Sequence, residues 1–446
     1  MTALRVVGGT LVTMDPERTI VQGDLLIEDG RIARLGAAEP VPSGMRTIDA
    51  HGKFVFPGFV QGHVHLGQAL FRGLAEDRPL MAWLRDRIWP LEAAHDDASA
   101  YWSAILGIAD CFLGGTTTIQ DIGIVREMDA VFRAIADTGL RAVAGKCLMD
   151  RGVGVPAGLL ESPGDALAEA EALHRRWHGA RDGRITGLLC PRFILSVSET
   201  LWGGVVECAR RLGVPVHTHL LEHPEEGAEI RGALGMGEFD YLDRLGVLDL
   251  DFRIAHAVHL GPEHVDVLAG RPLRICHCPA ANLKLGSGIA DLGFLRRVPA
   301  GALGIGCDGA ACNNDLDVLQ EMRLCALLQQ YRQGPGKFSA RDAVELATIE
   351  GARALGMDAR IGSLEPGKAA DLCIWDLARP GSFGAPDVDP YTRLVYGAAR
   401  DALTTVVVAG EVVVDGGKLV TIDDEALRRR PREEITRLLA RADLPG

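Results

Sequence analysis

Eight strand-like apolar runs that alternate with amphipathic helical segments predict an α/β fold built around a closed (β/α)8 barrel. The number of runs favours a closed, TIM-like barrel over an open doubly wound sheet. No Gly-x-Gly-x-x-Gly follows the first strand, so a dinucleotide-binding fold has no support. Helical stretches such as Asp165–Trp177, Glu199–Leu212 and Leu316–Gln330 lie between strands. The candidate strands are Phe56–His65, Thr116–Ile122, Arg141–Leu148, Ile185–Pro191, Pro215–Leu220, Phe252–His259, Leu273–His277 and Ala302–Cys307.

The two ends of the chain have a different pattern, in which short apolar runs alternate with turn signals. Gly8-Gly9 and Asp29-Gly30 punctuate the first end, and Ala409-Gly410 and Asp415-Gly416 the second. We therefore predict a small β-sandwich formed by residues 1–56 and 358–446 around a catalytic barrel of residues 57–357. A helical tail follows from about Asp424 to Ala442.

Composition excludes several classes of partner. The 446 residues carry a net charge of −13, which would repel nucleic acid, and no apolar run has the ~18 residues that a membrane span requires. The 10 cysteines lie mostly in apolar runs, and Met1 to Arg5 leads straight into a strand-like run. We therefore expect free thiols, a cytoplasmic location and a small-molecule substrate.

Histidines follow the first barrel strand. His63 and His65 are two residues apart at its end, so both side chains point the same way. Paired imidazoles at the carboxyl end of a buried strand are typical of a metal site at a barrel mouth. The pattern alone is weak, because core or surface histidines give it as well.

Three further strand ends carry polar residues, which a parallel barrel brings together at one face. His219 ends the fifth strand with Glu222 just beyond, His256 ends the sixth, and Asp308 ends the eighth. His217 shares a strand face with His219. We assign His219 as the ligand because Glu222 follows it by three residues. The Cys276-His277-Cys278-Pro279 run lacks a second C-x-C partner, so we interpret it as strand-end packing. Zinc and iron both accept such nitrogen and oxygen ligands.

These motifs together resemble the amidohydrolase superfamily. They are the Pro-Gly-Phe-x-x-x-His-x-His stretch that ends at His65, His219-Leu220-Leu221-Glu222, Ala255-His256 and Asp308-Gly309-Ala310. The resemblance runs nearly end to end and includes Cys278-Pro279-Ala280-Ala281-Asn282. Within the superfamily the chain is similar to the aminohydrolase branch of guanine deaminases, S-adenosylhomocysteine and 5′-deoxyadenosine deaminases and triazine hydrolases.

The resemblance implies one divalent metal, zinc in preference to iron. Its ligands would be His63, His65, His219 and Asp308. Two-metal relatives carry a carboxylated lysine in a mid-barrel strand; Lys146 is the nearby candidate, but the Glu222 pattern belongs to the one-metal branch. The branch also implies a homo-oligomer, a dimer or larger.

The implied reaction is a hydrolytic deamination of an amidine-like ring carbon. Asp308 would accept the proton of the attacking water, and His256 would orient that water. Glu222 would carry protons to a ring nitrogen and to the departing ammonia. A non-enzymatic scaffold is disfavoured, because every expected ligand and Glu222 are present.

The substrate signals are mixed. Gln68 and the Arg192-Phe193 pair resemble the base-binding residues of guanine deaminases, and an arginine with a phenylalanine suits a purine. The segment from Asp308 to Asn314 and Glu92 instead resemble the adenosine-type branch, in which a glutamate holds ribose hydroxyls. We expect a guanine-like purine or related bicyclic base. A 5′-modified adenosine is the main alternative, and a pterin or s-triazine stays open.

Overall fold

The computed structural model describes residues 3–37, 44–271, 273–298, 301–385 and 387–444. The outermost residues of the predicted terminal domain, 1–2 and 445–446, lie outside them. The strands are β1 Ala3–Val12, β2 Ile20–Glu28, β3 Arg31–Gly36, β4 Arg46–Asp49, β5 Phe54–Pro57, β6 Phe59–His65, β7 Thr116–Asp121, β8 Arg141–Ala144, β9 Cys147–Leu148, β10 Ile185–Gly187, β11 Cys190–Pro191, β12 Val216–Leu220, β13 Phe252–His256, β14 Leu273–His277, β15 Ala302–Ile305, β16 Asp308–Gly309, β17 Leu372–Trp375, β18 Leu403–Val408, β19 Glu411–Asp415 and β20 Lys418–Leu419.

Helices lie mostly between the central strands. They are α1 Leu80–Trp83, α2 Trp89–Ala93, α3 Asp97–Leu113, α4 Met128–Thr138, α5 Pro163–Trp177, α6 Ala180–Gly183, α7 Glu199–Leu212, α8 Glu226–Leu234, α9 Glu238–Arg244, α10 Val265–Leu268, α11 Pro279–Lys284, α12 Leu292–Leu295, α13 Val318–Gln333, α14 Ala340–Leu346, α15 Ile349–Ala354, α16 Pro390–Thr392 and α17 Asp424–Arg441. None of the described helices is long and apolar enough to cross a membrane.

The central strands pair in parallel. One sheet has the order β10-β8-β7-β6-β16, a second has the order β12-β13-β14-β15, and β9 pairs with β11. An isolated parallel bridge between Leu189 and Val216 joins the end of the first sheet to the start of the second. Every residue of β6 and β7 is buried, as expected for parallel strands that are covered on both faces. The predicted α/β class with parallel sheets is confirmed, while the closed barrel stays a prediction.

The first predicted strand, Phe56–His65, is two strands in the structure. β5 joins the sheet of the chain ends, where Phe56 lies opposite Cys373, and β6 opens the parallel sheet. The chain crosses between the two sheets at Pro57-Gly58. A Cβ at Gly58 would lie 2.2 Å from Thr117 Oγ1, so a larger residue does not fit at this crossing. Continuous apolar character gives no sign of such a crossing, because both sheets bury this stretch.

Strands from both chain ends share one nine-stranded sheet. Its order is β20-β19-β18-β17-β5-β1-β2-β3, with β4 paired to β1. The two ends therefore combine into one structural unit, and the description of this unit as a sandwich stays a prediction. The helical tail is α17, in which Arg428 pairs with Asp424 at 2.8 Å and Arg429 with Glu433 at 2.8 Å, as expected for a solvated helix face.

A buried ion pair joins the terminal sheet to the parallel strands. Arg141 of β8 donates from Nε to Asp371 Oδ2 at 2.7 Å and from Nη2 to Oδ1 at 3.0 Å. Asp371 directly precedes β17, and the two side chains are only 3% and 2% exposed. We expect Asp371→Ala to lower the free energy of unfolding by about 3–5 kcal/mol, because it leaves a guanidinium buried without its partner.

Chemical denaturation measures this effect, and the exposed pair of Arg379 and Asp401 provides a control. Asp401→Ala should change the free energy of unfolding by less than about 1 kcal/mol. Equal effects of the two substitutions would contradict the structural importance of the buried pair.

Candidate active site

Four side chains from three parallel strands converge at one end of the parallel sheets. His63 and His65 lie on β6, His219 on β12 and Asp308 on β16, and one potential ligand atom of each lies within 4.8 Å of the others. Asp308 Oδ1 is 3.3 Å from His63 Nε2 and 3.2 Å from His65 Nε2. His65 Nε2 is 3.1 Å from His219 Nε2. All four side chains are buried or nearly so, and a set of three imidazoles and one carboxylate suits a divalent metal.

The electrostatics of these residues favour a metal over protons. Burial lowers the pKa of His63 to about 4 and holds the pKa of His219 well below its usual range. Burial opposes the ionisation of Asp308, but the adjacent imidazoles of His63 and His65 hold its pKa well below its usual range. His63 Nε2 is buried and has no hydrogen-bond partner. Neutral imidazoles beside a carboxylate are the protonation states that metal binding requires, so these residues fit a divalent cation.

Neighbouring groups orient the ligand side chains. His219 Nδ1 donates to the backbone carbonyl of Arg192 at 2.7 Å, which leaves the Nε2 lone pair facing the other ligands. His63 Nδ1 lies 2.8 Å from His217 Nε2. His217 therefore contacts the potential ligand His63 and is not one of the four potential ligands itself. Lys146 Nζ lies between Glu161 and Glu169 at 2.9 and 3.0 Å, which accounts for this buried lysine without a second metal.

His256 lies beside this group at the end of β13. Its Nε2 is 3.6 Å from Glu222 Oε2 and 3.9 Å from Asp308 Oδ2. Its Nδ1 is 2.8 Å from Asn282 Oδ1, an atom that can only accept, so Nδ1 carries the hydrogen. The Nε2 atom is buried without a hydrogen-bond partner. The ring therefore presents a free nitrogen to the space between Glu222 and Asp308.

Glu222 has the environment of a general acid. Burial, followed by repulsion from Asp308, raises the pKa of Glu222 to about 8. A carboxyl with such a pKa holds a proton near neutral pH and can also give it up.

Strained backbone accompanies these residues. The φ angles of Leu221, His256 and Asp308 are +56°, +74° and +63°, in the left-handed region that non-glycine residues seldom adopt. Such conformations persist only where the surrounding structure enforces them, and they cluster at functional sites.

One cavity of about 540 Å³ opens above these residues. Its floor includes His65, His219, Glu222, His256 and Asp308. The rest of the lining is largely apolar and also includes charged side chains. The apolar residues include Leu80, Met81, Trp83, Trp89, Leu195, Ile230 and Leu234, and the charged ones Arg85, Arg151, Glu226 and Glu229. Trp83 is only 5% exposed, so it belongs both to the core and to the cavity wall.

The four predicted substrate-binding residues divide into two groups. Gln68, Arg192 and Phe193 line the cavity, whereas Glu92 is absent from its lining. Arg192 Nη1 donates to Glu92 Oε2 at 2.5 Å and Nη2 donates to Oε1 at 3.2 Å. Gln68 Nε2 also donates to Glu92 Oε1, at 3.0 Å, and Gln68 Oε1 has no hydrogen-bond partner. Glu92 thus lies behind Gln68 and Arg192 and holds both of them.

Three site residues were not anticipated from the sequence. Asn282 lies within the Cys278–Asn282 stretch, but its contact with His256 was not expected. Arg151 lies three residues after the end of β9, and Glu226 lies four residues after Glu222. A spacing of four residues is one helical turn, which was the available signal for Glu226.

Several deaminases resemble this chain along nearly its full length. A 5-methylthioadenosine/S-adenosylhomocysteine deaminase of Desulforudis audaxviator is 38% identical over 422 residues, which cover 94% of this chain and 95% of that protein. A 5′-deoxyadenosine deaminase of Methanothermobacter thermautotrophicus is 36% identical over 407 residues, covering 91% and 92% of the two chains.

Solved structures show the same similarity in three dimensions. A zinc-bound adenosine deaminase from Xanthomonas campestris superimposes with a TM-score of 0.89 at 30% identity, covering 98% of both chains. A zinc complex of an atrazine chlorohydrolase from Arthrobacter aurescens TC1 gives 0.89 at 26% identity, covering 97% and 100%. The E. coli guanine deaminase gives 0.80 at 26% identity, covering 93% and 100%.

The TIM-barrel-like α/β fold and the buried site of three histidines and one aspartate define a metal-dependent hydrolytic deaminase. Residues 54–413 match the Amidohydrolase family, and the chain belongs to this family. The predicted superfamily, branch and reaction class are therefore confirmed.

Proposed function

We propose that this chain is a zinc-dependent deaminase of adenosine nucleosides modified at the 5′ position, such as S-adenosylhomocysteine, 5-methylthioadenosine or 5′-deoxyadenosine. The observation that carries the proposal is the full-length similarity to curated deaminases of these nucleosides. It favours the alternative that the sequence analysis left open over the guanine-like base that we expected.

The cavity supports a nucleoside. Its volume of about 540 Å³ lies within the range that encloses a drug-sized ligand, and a free purine base would fill only part of it. The apolar wall beyond the metal centre includes Leu80, Met81 and Ile230, which could pack against a thioether or deoxy 5′ group.

The geometry assigns a role to each residue at the floor. A divalent metal held by His63, His65, His219 and Asp308 would lower the pKa of a bound water towards about 7. His256 presents its free Nε2 to the attacking water. Glu222, which holds a proton near neutral pH, gives that proton to a ring nitrogen, takes up a proton of the attacking water and passes it to the departing ammonia, and the second proton of the water restores Glu222. The ring carbon gains an oxygen and loses its amino group.

A guanine-like base is the second candidate, and Gln68 supports it. Gln68 lines the cavity and its Oε1 is buried without a hydrogen-bond partner, and Arg192 and Phe193 line the same cavity. The bidentate pair with Glu92 holds the Arg192 guanidinium in one plane, against which a base could be oriented. The likeness to the E. coli guanine deaminase agrees with this candidate.

Ammonia release by the zinc-loaded protein tests both candidates. The panel comprises S-adenosylhomocysteine, 5-methylthioadenosine, 5′-deoxyadenosine, adenosine, guanine, isoxanthopterin and melamine. We expect turnover of the 5′-modified nucleosides with the highest kcat/KM. Turnover of guanine alone would replace the proposal by the second candidate, and release of chloride from a chlorinated triazine would replace the reaction.

The domain organisation, the oligomeric state and the location of the protein are also proposals. We propose that the parallel strands form a closed barrel within residues 57–357 and that residues 1–56 and 358–446 form the second domain. A homo-oligomer and a cytoplasmic location also stay predictions.

A further inference from the structure

A second carboxyl lies directly behind Glu222. Glu226 is the first residue of α8, and its Oε2 accepts a hydrogen bond from the backbone N–H of Glu222 at 2.7 Å. Burial raises the pKa of Glu226 to about 7, while hydrogen bonds from the N–H groups of Glu222 and Leu221 act in the opposite direction. The Glu226 carboxyl thus caps the backbone amide of Glu222.

The capped segment is a tight turn between two site residues. His219 is the second-last residue of β12, and Glu222 follows it by three residues. Leu221 between them has a φ of +56°, which a leucine adopts only when its surroundings enforce it. The outer side of the turn accepts backbone hydrogen bonds from the next strand end, since His259 N donates to the Leu221 carbonyl at 3.1 Å. The Glu222 N–H of the same turn donates to the Glu226 carboxylate.

We infer that Glu226 is a positioning residue for Glu222: its carboxyl holds the left-handed turn that aims the Glu222 side chain at His256. The inference rests on the proposed function of Glu222 in proton transfer. Glu222 Oε2 lies 3.6 Å from His256 Nε2, and a small rotation of its backbone would move the carboxyl out of this place. Misplacement of a reacting group by about 1 Å can cost about 100-fold in rate.

The neighbouring acidic residues do not share this contact. Glu225 precedes Glu226 but pairs with His223 at 3.3 Å, and its side chain is 71% exposed. It is absent from the lining of the cavity. Glu225→Ala therefore removes a carboxyl from the same turn without touching the capped amide, and it serves as a matched control.

Steady-state kinetics of two substitutions test the inference, with any panel compound that the wild type turns over. Glu226→Ala should lower kcat by about 10- to 100-fold with KM changed less than about threefold and metal content unchanged. Glu226→Gln should restore kcat to within about threefold of the wild type, because the amide oxygen still accepts from the Glu222 N–H. Glu225→Ala should behave like the wild type.

Hydrogen–deuterium exchange of the peptide that contains residues 219–226 tests the cap without activity. We expect faster exchange in Glu226→Ala than in the wild type, Glu226→Gln and Glu225→Ala. Unchanged exchange in Glu226→Ala would overturn the inference whether or not the protein deaminates anything. Three kinetic results would also overturn it: a wild-type kcat in Glu226→Ala, a Glu226→Gln variant as impaired as Glu226→Ala, or a raised KM with unchanged kcat. Absence of ammonia release from every compound by the wild type would instead count against the proposed function.

Discussion

We expect Glu222→Gln to lower kcat by about 10²- to 10⁴-fold, the usual contribution of a general acid–base group, with no change in metal content. The amide is nearly isosteric with the carboxyl but cannot carry protons between water and substrate. Glu222 is outside the group of four potential ligands, so the metal content should stay stoichiometric. Rate assays with metal analysis of the same samples measure both quantities.

Glu225→Gln is the control for this substitution, because it makes the same chemical change at an exposed position of the same turn. An activity of Glu222→Gln equal to that of the wild type would remove Glu222 from the mechanism. Loss of metal together with activity would show instead that Glu222 supports the metal centre.

Glu222→Gln should also make the metal-free protein more stable than the metal-free wild type at alkaline pH. The pKa of Glu222 is about 8 in the folded state and is raised from 4.5. Between these two values the folded state binds more protons than the unfolded state, so the stability that Glu222 contributes falls as the pH rises through this window. A glutamine does not titrate. The melting temperature of the metal-free wild type should therefore fall relative to Glu222→Gln between about pH 4.5 and 8.

We expect His219→Ala to abolish both stoichiometric metal binding and ammonia release. The substitution removes one of four ligands and leaves the Arg192 carbonyl without the donor that oriented the ring. Because a metal that binds only the folded state stabilises it by about 2.7 kcal/mol at one hundred times its Kd, a chelator should lower the melting temperature of the wild type. It should have little effect on His219→Ala.

His51→Ala is the matched control. This exposed histidine lies between β4 and β5, outside the group of four potential ligands, and pairs with Asp49. Full metal occupancy in His219→Ala would contradict the ligand assignment. In that case His217, which contacts His63 from behind, would be the next residue to replace.

The sequence left the substrate ambiguous because each candidate substrate-binding residue was interpreted separately. Gln68 and Arg192 suggested a free base, and Glu92 suggested a ribose. In the structure the three side chains form one buried network, in which Arg192 and Gln68 occupy the oxygens of Glu92. Glu92 and Arg192 are 100 residues apart, so their pairing could not be derived from local sequence.

The sequence alone predicted the α/β class, the combination of the two chain ends in one sheet and, through the family resemblance, the four residues that the structure brings together as a potential metal site. Local patterns indicated the strand ends, and the carboxyl ends of parallel strands meet at one face whatever the loops do. Tertiary structure alone decided the crossing at Pro57-Gly58, the contact of Asn282 with His256, the place of Glu92 behind the cavity and the cap by Glu226. Each of these depends on which side chains packing brings within hydrogen-bond distance, and strand and helix periodicity carries no information about that distance.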